Sequence, residues 1–268
     1  MRRMTGFDCE GAWLTGTLDE GYRPTGLLIV SGGNEIRSGA HAGQAALAAH
    51  FAALGYPVLR YDRRGVGESE GENKGFEVSG PDIAAAVAAF RQQVPHLNHI
   101  VAFGNCDAAT ALALHGNGFD TLILANPWVI DAKSEDAPTP PSAAAIRARY
   151  WNRIKSPRSL LDLLSGRIDL KKLAGGLARA SQKDIPSGLA ARLAEAMASR
   201  QTPTAILIAE RDTTAMAFMA AWKGESFAAV RRRPGISLSS HDTASHSFAD
   251  AESQAWLIER IGCVLLAA

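Results

Sequence analysis

Short apolar runs alternating with alanine-rich amphipathic stretches set the rhythm of this chain. Gly26 to Val30 is apolar and closes on Ser31-Gly32-Gly33-Asn34; after a polar loop, the alanine and leucine spacing from Gln44 to Leu54 is helical. The pattern then repeats. Gly55-Tyr56-Pro57 turns the chain, Val58-Leu59-Arg60-Tyr61-Asp62 reads as a strand, and Arg63-Arg64-Gly65-Val66-Gly67-Glu68-Ser69-Glu70-Gly71 reads as a glycine-punctuated loop. A second helix is predicted from about Pro81, a residue suited to a first helical turn, to Gln93. A strand over Ile100 to Phe103, a helix over Ala108 to His115 and a strand over Thr121 to Ala125 follow. Alternation at this spacing predicts an α/β fold with a parallel sheet covered by helices on both faces. Such sheets bind ligands at the carboxyl ends of their strands. Ser31-Gly32-Gly33-Asn34, Asp62-Arg63-Arg64 and Cys106 all fall at such ends.

The alternation stops after Asn126-Pro127-Trp128. Residues 131–200 show Pro138-Thr139-Pro140-Pro141, then helical pieces around Ala143–Trp151, Ser159–Leu164, Leu170–Ala174 and Leu189–Ser199. Strand and helix resume with Thr204–Ala209 and a terminal helix from about Asp250 to Leu266. The expectation is a core of residues 1–130 and 201–268, with 131–200 as a helical cap over the crevice. That insertion carries 13 Lys/Arg against 7 Asp/Glu, although the whole chain is nearly balanced at +1. The overall balance argues against a nucleic-acid binder. The local excess is either a solvated face or a contact for an anionic or phosphate-bearing substrate, such as a carrier-linked acyl group.

Cys9, Cys106 and Cys263 are odd in number, widely spaced and without a C-x-x-C pair, so neither a disulfide framework nor a zinc knuckle is indicated. No segment reaches the ~18 apolar residues of a membrane span, and the two arginines near the start have no apolar run behind them. A cytoplasmic protein is expected. With no metal-ligand cluster and no dinucleotide fingerprint, no metal and no cofactor are expected.

Chemistry concentrates at Gly104-Asn105-Cys106-Asp107-Ala108, where a buried strand breaks at a glycine and re-enters as an alanine-rich helix. This is the shape of a nucleophile elbow with sulfur in place of the usual serine oxygen. The helix N-terminus behind it favours a thiolate and an adjacent oxyanion. The plain alternative is a cysteine filling space at a strand end. A thiol nucleophile needs a base, and the base needs an orienting acid. In this fold they follow in the order nucleophile, acid, histidine. Asp212, directly after Ile206-Leu207-Ile208-Ala209, supplies the acid; a helix cap is its alternative reading, and Glu210 is a weaker candidate. His246 supplies the base in preference to His241, because the Ser247-Phe248 that follows can anchor it before the final helix. The oxyanion should meet the N–H of Asp107 and a second N–H from Gly33 or Asn34, unless that glycine pair is only a tight turn. Asp107 cuts both ways, since its carboxylate opposes a neighbouring thiolate yet suits a helix start. Gly32, His41 and Trp128 are candidate substrate contacts. Asp62 and Arg64 are read as holding their loop by internal hydrogen bonds.

Taken together, Ser31-Gly32-Gly33, the stretch Tyr61 to Ser69, Gly104-Asn105-Cys106-Asp107-Ala108, Asp212 and His246-Ser247-Phe248 resemble the α/β-hydrolase superfamily. More narrowly, the chain is similar to the hydrolase 1 proteins associated with the exosortase A system of exopolysaccharide-producing bacteria. The resemblance implies a doubly wound, mostly parallel sheet with a helical cap and a Cys-Asp-His triad, and leaves the substrate open. Cys106 and the absence of glycine at 108 argue against ordinary lipase or peptidase activity. The expected function is a cysteine-dependent acyl hydrolase of a small-molecule ester or thioester, carrier- or saccharide-linked in one version. The alternatives are acyl transfer to a sugar hydroxyl, or an accessory binding protein on the same fold.

Overall fold

The computed structural model describes residues 1–131 and 188–268. The strands are β1 (Arg2–Cys9), β2 (Ala12–Asp19), β3 (Thr25–Val30), β4 (Val58–Tyr61), β5 (His99–Asn105), β6 (Thr121–Ala125), β7 (Thr204–Ala209) and β8 (Ile236–His241). They form one sheet in the order β1-β2-β4-β3-β5-β6-β7-β8. From β4 to β8 along that order every pairing is parallel, while β2 runs antiparallel to both β1 and β4. The helices are α1 (Gly43–Ala53), α2 (Gly80–Gln93), α3 (Asp107–His115), α4 (Gly188–Ser199), α5 (Thr213–Trp222), α6 (Ala228–Arg232) and α7 (Ala251–Ala267).

Near-continuous apolar strands are what a sheet buried on both faces requires. In β3 all six residues are buried. Leu27 and Ile29 join Leu47 and Phe51 of α1 and Leu257 and Ile261 of α7 in one core. Leu28 and Val30 point the other way, into a second core with Ile83 and Phe90 of α2 and Leu112 of α3. The chain leaves β3 toward β4 on one side and β5 on the other, so the crevice predicted at the strand ends opens at that switch point.

Two features differ from the sequence expectation. The β1–β2 hairpin was not anticipated; Glu10 and Gly11 close it with φ values of 52° and 83°, the left-handed pair that a two-residue hairpin loop needs. Helix α4, assigned to the cap, places Ala190, Leu193 and Met197 in the same core as α2 and α3 and packs on α3. Its amphipathic face therefore belongs to the covering layer of the sheet, and the core resumes before residue 201. The rest of the expected cap, 132–187, lies outside the described residues. Among the described residues no helix is long and apolar enough to cross a membrane.

Candidate active site

The turn between β5 and α3 has the shape the sequence predicts. Cys106 sits at φ 62°, ψ −126°, a conformation that a non-glycine residue adopts only where its surroundings hold it. Those surroundings are hydrogen bonds: Cys106 N–H donates to the Ala125 carbonyl at 2.9 Å, and its own carbonyl accepts from Trp128 N–H at 3.2 Å. Strand and helix nearly touch here. A Cβ added at Gly104 would lie 2.8 to 2.9 Å from backbone atoms of Ala108 and Ala109, so the position admits glycine alone.

Asp212 leaves the end of β7 and caps α5, its Oδ2 accepting from Ala215 N–H at 2.9 Å. The same oxygen lies 3.0 Å from His246 Nδ1. Both readings of Asp212 are thus realised by one atom. Cys106 is the imidazole's other interacting side chain. These two interactions, with Asp212 the larger cause, push His246 up to about 10 against the opposing effect of burial. His241 lies elsewhere, at the end of β8, stacked on Trp256 at 5.3 Å. Phe248 is buried and also stacks on Trp256, which anchors the loop carrying His246. Glu210 takes a hydrogen bond from Ser240 and stays out of the chain.

Two asparagines that sequence reasoning missed secure this arrangement. Asn126 is fully buried at φ 43°; its Nδ2 donates to Asn105 Oδ1 and to the His246 carbonyl, each at 3.1 Å, and its Oδ1 accepts from Ala209 N–H at 2.8 Å. Asn105 Nδ2 donates to the same His246 carbonyl at 3.1 Å. The amides tie the ends of β5, β6 and β7 to the histidine loop. The available signal was an asparagine at the end of each of two buried strands.

The oxyanion side differs from expectation. Asp107 opens α3, so its N–H has no carbonyl partner within the helix. Gly33 N–H, the expected second donor, is not free: it donates to Asp107 Oδ1 at 2.7 Å. Arg63, another residue that sequence reasoning missed, is 5% exposed; its Nη2 donates to the Gly33 carbonyl and lies 3.9 Å from Asp107 Oδ2. Gly32 allows this approach, because a Cβ there would lie 2.5 Å from Asp107 Oδ1 and 2.8 Å from the Asn105 carbonyl. Asn34 is exposed and accepts from Asn73 Nδ2 at 2.8 Å, linking the glycine loop to its neighbour. His41 is exposed in the turn Ala40–Ala42 ahead of α1. Trp128 braces the elbow, its carbonyl accepting from Thr110 Oγ1 at 2.7 Å and its indole N–H donating to Ile130 at 2.6 Å. Asp62 is buried, pairs with Arg37 and accepts from Glu68 N–H at 3.2 Å, so it holds its loop as expected. Arg64 instead fastens that loop outward, to Asp82 of α2 at 2.6 Å and Glu10 at 2.7 Å. A cavity of about 500 Å³ borders Arg63, Arg64 and Asp82 but does not include Cys106, Asp212 or His246. Among the described residues no group of three His, Cys, Asp or Glu could hold a metal ion.

No curated protein matches the chain in sequence. Among solved structures it is similar to the Pyrococcus furiosus esterase Pf2001, at 16% identity and a TM-score of 0.66 over 100% of this chain and 92% of that one. It also resembles the proline iminopeptidase of Mycobacterium smegmatis, at 15% identity and 0.57 over 99% of each chain. A thioesterase domain from the curacin biosynthetic pathway gives 12% identity and 0.56 over 100% of each chain. At these identities the likeness shows the α/β-hydrolase fold. The family model described as serine aminopeptidase S33 matches residues 26–246, from β3 to the histidine loop, and the chain belongs to that α/β-hydrolase family.

Proposed function

We propose that this α/β hydrolase is a cysteine-dependent acyl hydrolase acting on an ester or thioester. Cys106 is the nucleophile, His246 carries the proton, Asp212 orients His246, and the N–H groups of Asp107 and Gly33 receive the oxyanion. The observation that carries this reading is the 3.0 Å contact of Asp212 with His246 Nδ1, with Cys106 as the other side chain acting on the imidazole. The esterase and thioesterase among similar folds agree with it.

With Nδ1 committed to Asp212, Nε2 is the nitrogen left for sulfur. His246 takes the proton of the Cys106 thiol, and the sulfur attacks the carbonyl. A carbon–sulfur bond forms and the carbonyl oxygen gains the negative charge. Collapse expels the alkoxide or thiolate leaving group, which takes the proton from Nε2. In the resulting acyl-enzyme the sulfur is uncharged, which removes one of the two interactions that raise His246. The imidazole then accepts a proton from water as that water adds to the thioester, and free acid leaves with the thiolate restored.

Intact-mass analysis after incubation with a panel of acyl esters and thioesters tests the proposal. An acyl adduct on Cys106 that decays to free acid, and is lost in Cys106→Ala, is the expected result. Undiminished turnover in Cys106→Ala overturns the mechanism. Acyl groups passing to an added sugar in place of water would establish transfer over hydrolysis.

A further inference from the structure

One of the N–H groups read as oxyanion donors is already engaged by a group of the chain itself. Asp107 Oδ1 accepts the Gly33 N–H at 2.7 Å, the place where a developing oxyanion needs that donor. Two negative oxygens cannot share one N–H without strong repulsion, so the carboxylate must leave before the oxyanion forms. It has somewhere to go. Arg63 Nη2 lies 3.9 Å from Asp107 Oδ2, and Nη1 of the same side chain is buried with no hydrogen-bond acceptor among the described residues. A 5% exposed guanidinium with an unused donor is costly to keep. A charge-assisted pair with Asp107 would satisfy it.

We propose that Asp107 is a two-position gate on the oxyanion site, resting on the Gly33 N–H and moving onto Arg63 when substrate reacts. Arg63 is the positioning residue: its bond to the Gly33 carbonyl keeps the receiving seat attached to the oxyanion loop. The exchange trades one ionic hydrogen bond for another, so the two positions stay close in free energy, as a gate requires. Gly32, lacking a Cβ, leaves the space around Oδ1 open for the movement.

The inference rests on the reading of Gly33 and Asp107 N–H as oxyanion donors, and its test separates the two claims. The quantity measured is the rate of Cys106 acylation by p-nitrophenyl acetate, divided by its rate of alkylation by iodoacetamide. Alkylation forms no oxyanion, so the ratio cancels changes in thiolate content. Since an oxyanion donor is worth about 10²–10³, the ratio should rise about tenfold in Asp107→Ala, fall about tenfold in Arg63→Met and stay within about threefold of wild type in Arg63→Lys. The double variant Arg63→Met with Asp107→Ala should recover the Asp107→Ala value, because without the carboxylate no receiving seat is needed. A purely structural arginine would not be rescued in this way. An unchanged or lower ratio in Asp107→Ala, or a double variant as slow as Arg63→Met, overturns the gate. If no variant is acylated while alkylation proceeds, the hydrolase reading fails, and the Gly33 amide proton decides the gate alone. An upfield shift of that proton in Asp107→Ala supports the resting contact, and no shift overturns it.

Discussion

Cys9 and Cys106 each lie near a carboxylate, and the protein makes opposite use of them. Cys9 ends β1 with its Sγ 3.6 Å from Asp82 Oδ1, buried under the edge of the sheet. Burial, then the charge of Asp82, pushes its thiol up to about 11, and the neighbouring Tyr61 hydroxyl is raised for the same two reasons. At Cys106 the carboxylate stands one imidazole away, and the sulfur meets His246 at the start of a helix. A carboxylate touching a thiol directly opposes its ionisation, whereas a carboxylate behind a histidine strengthens the base that ionises it. On the proposed function, the chemistry belongs to the interposed imidazole rather than to cysteine as such.

The largest effect should therefore follow from weakening that imidazole's partner. Asp212→Asn retains a side chain that caps α5, since asparagine serves at an N-cap about as well as aspartate, but removes the charge facing Nδ1. Turnover should fall by about 10²–10⁴ with the melting temperature nearly unchanged. Asp212→Ala should lose the activity and in addition about 1 kcal/mol of stability as the cap disappears. Steady-state kinetics with thermal melts reads both. Equal activity of Asp212→Asn and wild type would mean that the 3.0 Å contact is only structural.

Alkylation sharpens the comparison at the sulfur atoms themselves. Raising Cys9 from 9.0 to about 11 cuts its thiolate fraction near neutral pH about a hundredfold. Cys106 should react with iodoacetamide at least about a hundredfold faster than Cys9, and faster than the exposed Cys263 on α7. Peptide mapping after brief labelling gives the three rates. Equal, slow labelling of Cys106 and Cys263 would favour an accessory binding protein over an enzyme.

The arrangement on the Cys106 side of the comparison was legible in sequence because its signals are local or ordinal. Gly104 and Cys106 lie within one turn, and Asp212 and His246 each follow a strand-like run in the order the fold demands. The Cys9 side was not legible. In β1 the inward positions are Arg3, Thr5, Phe7 and Cys9, and only the last two are buried, while Met4 faces out, so the strand carries little periodic signal. Helix α4 shows why pattern alone misplaces a layer: the spacing of Leu189, Leu193 and Met197 announces an apolar face but not which surface will cover it. Asn105, Asn126 and Arg63 act through contacts between strand ends that only the assembled sheet brings together.

The smallest effect is on stability against pH, and it separates the two regions by window. A group that holds its proton more tightly in the folded chain stabilises the fold at low pH and loses that contribution as pH rises. For His246, raised from 6.5 to about 10, the contribution is complete below about 6.5 and gone above about 10. Its side chain is 39% exposed, so solvent screening keeps the amplitude modest. For Cys9, raised from 9.0 to about 11, the loss begins only above about 9. Denaturant midpoints measured from pH 6 to 11 should therefore decline in two stages. His246→Gln should flatten the decline between about 6.5 and 9, while Cys9→Ala should reduce the decline above about 9, to which Tyr61 also contributes, and leave the first stage intact. A first stage that survives His246→Gln would show that the imidazole is not held by Asp212 and Cys106 in solution, and the contrast between the two sulfur sites would lose its basis.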